Sequence, residues 1–305
     1  MRENIGKSGF FAALWGVCCG TSVFPQLVKN TRSRTVWHLF LMSLLCTVLL
    51  SLRMFPFLRS EWKSVAKRYV EVFGTQIEFS DAGISPEDEN RSRNMPLPNS
   101  GCLVYTAARE KEITLPEDLS RANYLVVWNG NFIAFAFTGD SRHWEILLSR
   151  PHRSNERRRV DRENLAKYFN DELTRPNSRE NWPLPGWTMR AEDVFSLASV
   201  FTSAWWFVLV WCRNFILGIL CTGLFSGVAR LSGAATARGL TGWQYWKIGV
   251  YAGFPGMLIG SVVEALELPV LGYLVTYALT LVIYWLPAAL ACSRDREDGG
   301  GRSAA

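Results

Sequence analysis

The sequence predicts a membrane α-helical bundle of four spans, with a small extracytoplasmic α+β domain inserted after the first. Three observations point there. Residues 194–228 form an apolar run whose only charge is Arg213. Further uncharged apolar runs occupy 36–52, 248–263 and 268–290. Residues near 58–192, by contrast, are rich in charge and turn formers, so the chain divides into unlike parts.

Composition narrows the function classes. Lys and Arg number 33 against 27 Asp and Glu, a formal charge of +6 in 305 residues. Such a balance can mark nucleic-acid binding, but no helix-turn-helix, zinc-finger spacing or aromatic RNA-binding motif accompanies it. Much of the excess flanks the apolar runs, where membrane orientation explains it. Of seven Cys, only Cys102 lies in the polar domain, so no disulfide forms within that domain. His38, His143 and His152 are scattered, and no Cys pair has zinc spacing, so neither metal nor cofactor is expected.

Taken in order, residues 1–35 form a cytoplasmic interfacial segment. Its apolar stretch 9–19 is too short to span and reads as a helix ending near Pro25, either on the membrane surface or packed against the bundle. Residues 36–57 hold the first transmembrane helix, with Trp37 at its start and Arg53 placed to snorkel at its end. Lys29, Arg32 and Arg34 crowd the near side, so the N-terminus is cytoplasmic and the polar domain lies outside. Pro56 breaks or bends the chain, and 61–73 follows as an amphipathic helix.

Strand signals in the polar domain, 58–192, fall at 76–79, 102–106, 124–128, 132–137 and 144–148. Asn129 and Gly130 read as the central pair of a type I′ hairpin turn. Alternation in 131–137 is weak, which suggests strands covered on both faces. Residues 161–173 read as a helix capped by Asp161, and 85–100 as a loop.

Residues 193–292 carry a long helix and the remaining three transmembrane helices. Residues 194–228 number about 35, roughly 52 Å as one helix against a hydrocarbon core of about 30 Å. No Gly or Pro stands near Trp211 to Phe215 to turn the chain, so one long helix is favoured over two short spans. Trp205, Trp206 and Trp211 mark one interface and Arg230 the other, which places the span near 211–228. The loop 230–247, with Arg230, Arg238 and Lys247 and no acid, is cytoplasmic. The third span contains Pro255 and the fourth Pro287, joined by a short outer turn at 264–267. The tail 293–305 is expected to be cytoplasmic and disordered, so both termini of this multi-pass chain lie inside the cytoplasmic membrane.

Three constellations stand out. Gly223, Gly227, Gly249, Gly253, Gly256 and Gly260 recur at or near four-residue spacing, the pattern that lets helix backbones approach in lipid. Packing within one bundle, a homodimer face and a lipid groove are the uses it admits. Arg213 and Glu264 are each about 17 residues, or roughly 25 Å, from the inner ends of their helices at Arg230 and Lys247. That count sets them at one depth, as an intramembrane ion pair or as charges that each find their own partner. Arg150, Arg153, Arg157, Arg158 and Arg159 form a basic run, either a solvated loop or a patch for an anionic partner. No catalytic motif is present, so no catalytic residue is assigned and an enzyme is not expected.

Three stretches carry a family resemblance: FPQLVKNTRSRTVWHLF at 24–40, ANYLVVW at 122–128 and YWKIGVYAGFP at 245–255. In pattern and order the chain resembles an uncharacterised bacterial integral-membrane family, some members of which are described as maltodextrin-utilisation membrane proteins. Its C-terminal spans are similar to the Yip-type membrane fold. The resemblance implies an integral membrane protein with an extracytoplasmic insert and no established activity. Where the relatives end a strand in Asp-Thr this chain has Tyr105-Thr106, so a ligand role carried by that Asp is not implied here.

The resulting expectation is a protein of the bacterial inner membrane that acts by binding through its outer domain, as a sensor, scaffold or accessory subunit. The alternative is a component of a solute transport system, oligosaccharide-related if the resemblance guides it, with a third span broken at 253–256 lining the route. Third comes a membrane enzyme. The bilayer is the one partner implied throughout, with a second membrane protein or a second copy left open and nucleic acid excluded.

Overall fold

The computed structural model describes residues 9–80, 83–98, 100–107, 110, 112–116, 122–129, 132–138, 143–150, 155–174, 186–231, 240–267 and 272–301. The chain divides into two compact units, the first of 1–56 with 203–305 and the second of 57–202, with boundaries after Pro56 and after Thr202. Both fall inside helices. Four helices are long and apolar enough to cross a membrane.

In the first unit, α1 (Phe10–Cys19) and α2 (Phe24–Leu27) precede α3 (Arg32–Phe73). Helix α1 stops at Gly20, and Pro25 starts α2 from its first turn instead of ending α1. Phe10, Ala13 and Val17 are buried in one core with Phe254 and Tyr251, so α1 is a packing helix within its unit. Helix α3 runs unbroken through Pro56 for 42 residues, roughly 63 Å. Proline removes one amide there, and good helix formers on both sides carry the helix across it. Arg53 does not simply snorkel: it donates to the Ala265 carbonyl at 3.0 Å and pairs with Glu267, at the negative C-terminal end of a neighbouring helix.

That neighbour is α6 (Gly242–Ala265), which lies between α5 (Ala191–Leu231) and α7 (Tyr273–Gly301) in chain order. Helix α5 is one continuous helix of 41 residues. Helix α6 stays helical through Gly253, Phe254, Pro255 and Gly256, so the expected break is not there. Helix α7 continues to Gly301, beyond the expected start of a disordered tail at 293. Ser293 bonds back to the Leu290 carbonyl at 3.0 Å, and Asp295 meets Lys29 at 3.4 Å, so the helix has partners past its apolar part. Residues 268–271, the expected start of the fourth span, and Arg238 lie outside the described residues.

The helices of this unit bury hydroxyls in their core beside apolar residues and leave many large apolar side chains exposed. Phe11, Leu52, Leu224 and Ile283 are exposed, whereas Ser43, Thr47, Ser51, Thr222 and Ser226 are buried. On α3 the hydroxyls of Ser43, Thr47 and Ser51 each donate to the carbonyl four residues back, at 2.9, 2.8 and 2.7 Å. A polar group satisfied within its own helix needs no water. The exposed apolar surface, together with buried hydroxyls satisfied within their own helices, fits a multi-pass membrane protein.

The second unit is built on two sheets. One has the order β2-β1-β9, from Gly83–Pro86, Gln76–Ser80 and Trp187–Arg190. The other has the order β3-β4-β5-β6-β7-β8. Its strands are Arg93–Leu97, Gly101–Tyr105, Tyr124–Asn129, Phe132–Thr138, His143–Ser149 and Glu156–Asp161. All its neighbours are antiparallel except β4 and β5. Strands β2 and β3 occupy part of the stretch read as a loop: its Pro, Asn and charges suit edges, and both strands are edges. Asn129 pairs with Phe132, so it ends β5 and is not a central turn residue; Gly130 lies outside the described residues. A 3₁₀ turn (Arg162–Asn164) leads into α4 (Leu165–Thr174). Asp161 makes no capping bond, because its carboxylate faces the ring of His143 at 3.1 Å.

The glycines of α6 test the packing. An added Cβ at Gly256 would meet the Tyr277 carbonyl and the Thr280 Cβ at 3.0 Å, and at Gly253 the Tyr277 hydroxyl at 2.8 Å; at Gly272 it would meet nothing within 4 Å. Gly256→Leu and Gly253→Leu should therefore each lower the melting temperature of the detergent-solubilised chain markedly, with Gly272→Leu close to wild type. Equal losses at all three would remove the special role of α6.

Candidate functional site: a half-open sheet face

The even and odd residues of the six-stranded sheet point to opposite faces. One face carries Leu125, Val127, Ala134, Ala136, Trp144, Ile146 and Leu148, closed by Leu165 and Phe169 of α4. On the other face, β4 and β5 present Leu103, Tyr105 and Trp128 to Val65, Tyr69 and Phe73 of α3. Ile133 of β6 still packs against that cluster, and beyond it the second face is open. Phe135, Phe137 and Leu147 are 49%, 42% and 38% exposed.

The strand register shows how the open half is laid out. Val126, Phe135, Leu147 and Arg157 stand in one row across the strands, and Tyr124, Phe137, Glu145 and Arg159 in the next. Phe135 and Leu147 are direct cross-strand partners. Charge frames them: Arg157 Nε donates to Glu145 Oε2 at 3.1 Å, and Arg159 lies 3.2 Å from His143 Nδ1. The arrangement is an apolar centre with a polar rim of both signs along β8, the outermost strand. The weak alternation of 131–137 has a different cause from the one expected. The strand is not covered on both faces, because small Ala134 and Ala136 face the core while large Phe135 and Phe137 face out.

The basic run does not converge. Arg150, half-buried, pairs with buried Glu172 of α4, which ties the end of β7 to the helix. Arg157 and Arg159 lie on the open face. Arg158 lies on the opposite face, 3.4 Å from Glu156. Arg153 lies outside the described residues. The described arginines are thus divided between the two faces of β8 and the end of β7.

In the helical unit, Arg213 and Glu264 face each other bidentately, with N–O distances of 3.1 and 3.0 Å. Asn214 Oδ1 lies 3.4 Å from the same guanidinium, and its amide donates to Thr47 at 3.3 Å. The Tyr273 ring lies 5.4 Å from the Arg213 guanidinium carbon. One level thus joins α3, α5, α6 and α7. A second buried node, not anticipated from the sequence, has Tyr251 accepting from Asn30 at 3.0 Å and meeting His38 Nδ1 at 3.0 Å. Lys247 beside it donates to the carbonyls of Val28 and Asn30.

The glycines divide. Gly249 approaches the Thr222 carbonyl and Ser226, Gly253 and Gly256 approach Tyr277, and Gly260 approaches Tyr273. Gly223 and Gly227 meet nothing within 4 Å, so they are not packing positions in this chain. Gly249 packs beside Thr222 and Ser226, leaving the faces of 223 and 227 unfilled within the bundle. Gly218, not singled out from the sequence, is the close contact of α5, against Leu39 of α3.

Tyr105, at the closed end of the sheet face, donates to the Glu89 carbonyl at 3.2 Å. Burial first, then the nearby Glu89 and Asp88 carboxylates, push its phenol up to about 12. Compared with known protein families, characterised proteins and solved structures, the chain shows no match.

Two outcomes follow. Arg213→Glu and Glu264→Arg should each lower the melting temperature in detergent, and the double swap should recover part of the loss; simply additive losses would show that the two charges are not coupled. Tyr105 holds its proton more tightly when folded than the ordinary phenol value of about 10. Its contribution to stability is whole below that value and is lost as pH rises through about 12. Near-UV circular dichroism of the full chain should fall less steeply across this alkaline range in Tyr105→Phe than in wild type.

Proposed function

We propose that this chain is an integral cytoplasmic-membrane protein that acts by binding, as a sensor, scaffold or accessory subunit, with its sheet unit outside and both termini inside. The observation that carries the reading is the open half of the sheet face. Stability alone would place large aromatics inward and Ala outward, and positions 134–137 of β6 have the reverse. A contiguous apolar patch rimmed by charge is the layout of a protein-recognition surface. The partner is a protein with an apolar centre and charges complementary to Glu145, Arg157 and Arg159. It docks on the face and not on the edge, because three consecutive arginines along β8 disfavour addition of a further strand.

The orientation rests on Lys29, Arg32, Arg34, Arg230 and Lys247, which border the helices on the side the positive-inside rule assigns to the cytoplasm. The transport alternative draws on the family resemblance, and the continuous α6 with Tyr277 filling its glycine face favours a packing role for 253–256 over a solute route.

One set of variants tests both halves. In right-side-out membrane vesicles, Lys167→Cys should react with a membrane-impermeant maleimide. A benzophenone amino acid at position 135 should give a discrete adduct in native membranes that is absent when the probe sits at 167. Phe137→Ser with Leu147→Ser should abolish the adduct without lowering the melting temperature. Labelling only after lysis would reverse the orientation, and identical adducts at 135 and 167 would remove the binding face.

A further inference from the structure

We infer that a groove between α5 and α6 is a binding site for one anionic phospholipid, with the phosphate at the N-terminus of α6 and an acyl chain along Gly227 and Gly223. The groove has a volume of about 370 Å³ and is lined by Gly223, Ser226, Gly227, Arg230, Gly242, Trp243 and Trp246. Its volume falls within the usual span of small-molecule sites.

Two independent features converge at one end. The first is the start of a 24-residue helix. Thr241 and Gln244 form a reciprocal capping box that takes up their own amides. The amides of Gly242 and Trp243 remain in the first turn, where no intrahelical acceptor reaches them, at the positive end of the helix dipole. The second is the guanidinium of Arg230, which lies against Gly242: a Cβ there would stand 3.0 Å from its terminal nitrogen. Among the described residues Arg230 makes no ion pair. A third charge is close, since the Arg32 guanidinium carbon stacks 3.9 Å above the Trp243 ring. A helix N-terminus joined by arginine is the chemistry of a phosphate site.

The rest of the groove suits the other half of the lipid. Gly223 and Gly227 have open space where side chains would stand. Trp243 and Trp246 form the wall nearer the charge, at the position aromatic residues take beside lipid headgroups. A soluble anion would use Arg230 and the amides alone, and would have no use for an apolar channel running away from them.

The test is native mass spectrometry of the full chain released from nanodiscs of equimolar phosphatidylcholine and phosphatidylglycerol. Wild type should retain one phosphatidylglycerol in preference to phosphatidylcholine. Arg230→Ala should lower that retention about fivefold, the effect of one basic residue at a lipid surface. Gly227→Leu should lower it as well while leaving Arg230 in place, and should keep the wild-type melting temperature because a side chain there meets nothing within 4 Å. Equal retention of the two lipids, or retention unchanged in either variant, would overturn the site. Displacement of the lipid by inorganic phosphate, with Gly227→Leu silent, would reassign it to a soluble anion. A dimer lost in Gly227→Leu would reassign it to a second copy.

Discussion

The helical unit depends on the pairing of Arg213 with Glu264. A guanidinium and a carboxylate on apolar helices are both costly unless they meet or reach water. Meeting bidentately constrains distance and planarity together, so the pair sets the height of α6 against α5 and the rotation of each. Asn214 extends the constraint to α3 through Thr47, and Tyr273 brings in α7. The glycine contacts follow from that rotation. With Glu264 facing Arg213, Gly260, Gly256 and Gly253 fall in turn against Tyr273 and Tyr277 of α7, and Gly249 falls against Thr222 and Ser226 of α5.

Close backbone approach and buried hydroxyls belong to the same solution. Where the solvent is as apolar as Leu, burying Leu between helices gains little, and van der Waals contact between backbones gains more. Small residues allow that contact, and Ser and Thr are small once their hydroxyls bond to their own helix, as Ser43, Thr47 and Ser51 do. The large apolar side chains are then free to face outward, where Leu52, Leu224 and Ile283 are found.

The helices were legible because their apolar windows are long and nearly free of charge, and a pattern of that length has few competing explanations. Arg213 and Glu264 could be set at one level because rise per residue is constant along a helix. Strand pairing offers no such ruler. Strands β2 and β3 are held by partners elsewhere in the chain, and their Pro, Asn and charged residues resemble a loop when read locally. Strand β8 was hidden by its three arginines, which an edge tolerates and a central strand would not. The glycines show the same limit. Spacing identifies a face of small residues, but whether anything packs there is a property of the neighbour. Gly253 has Tyr277 against it and Gly227 has open space, although the sequence marks both in the same way.

The open sheet face was illegible for a more specific reason. Sequence reading assigns the larger apolar residue of an alternating pair to the core, and in β6 every position from Phe132 to Phe137 is apolar, so no such contrast survives. The contrast that does survive is of size, with Ala134 and Ala136 between Phe135 and Phe137. Against α4 the small residues suffice, because Trp144 and Phe169 already fill the space between sheet and helix. Nothing in that core calls for phenylalanine on the far side. Aromatic side chains at 135 and 137 add nothing to the packing on the α4 side and leave apolar surface exposed on the other. Alternation of small and large apolar residues along one strand is therefore a pattern of its own, distinct from the polar-apolar alternation that marks a solvated face, and it sets a bulky apolar surface on the side away from the core.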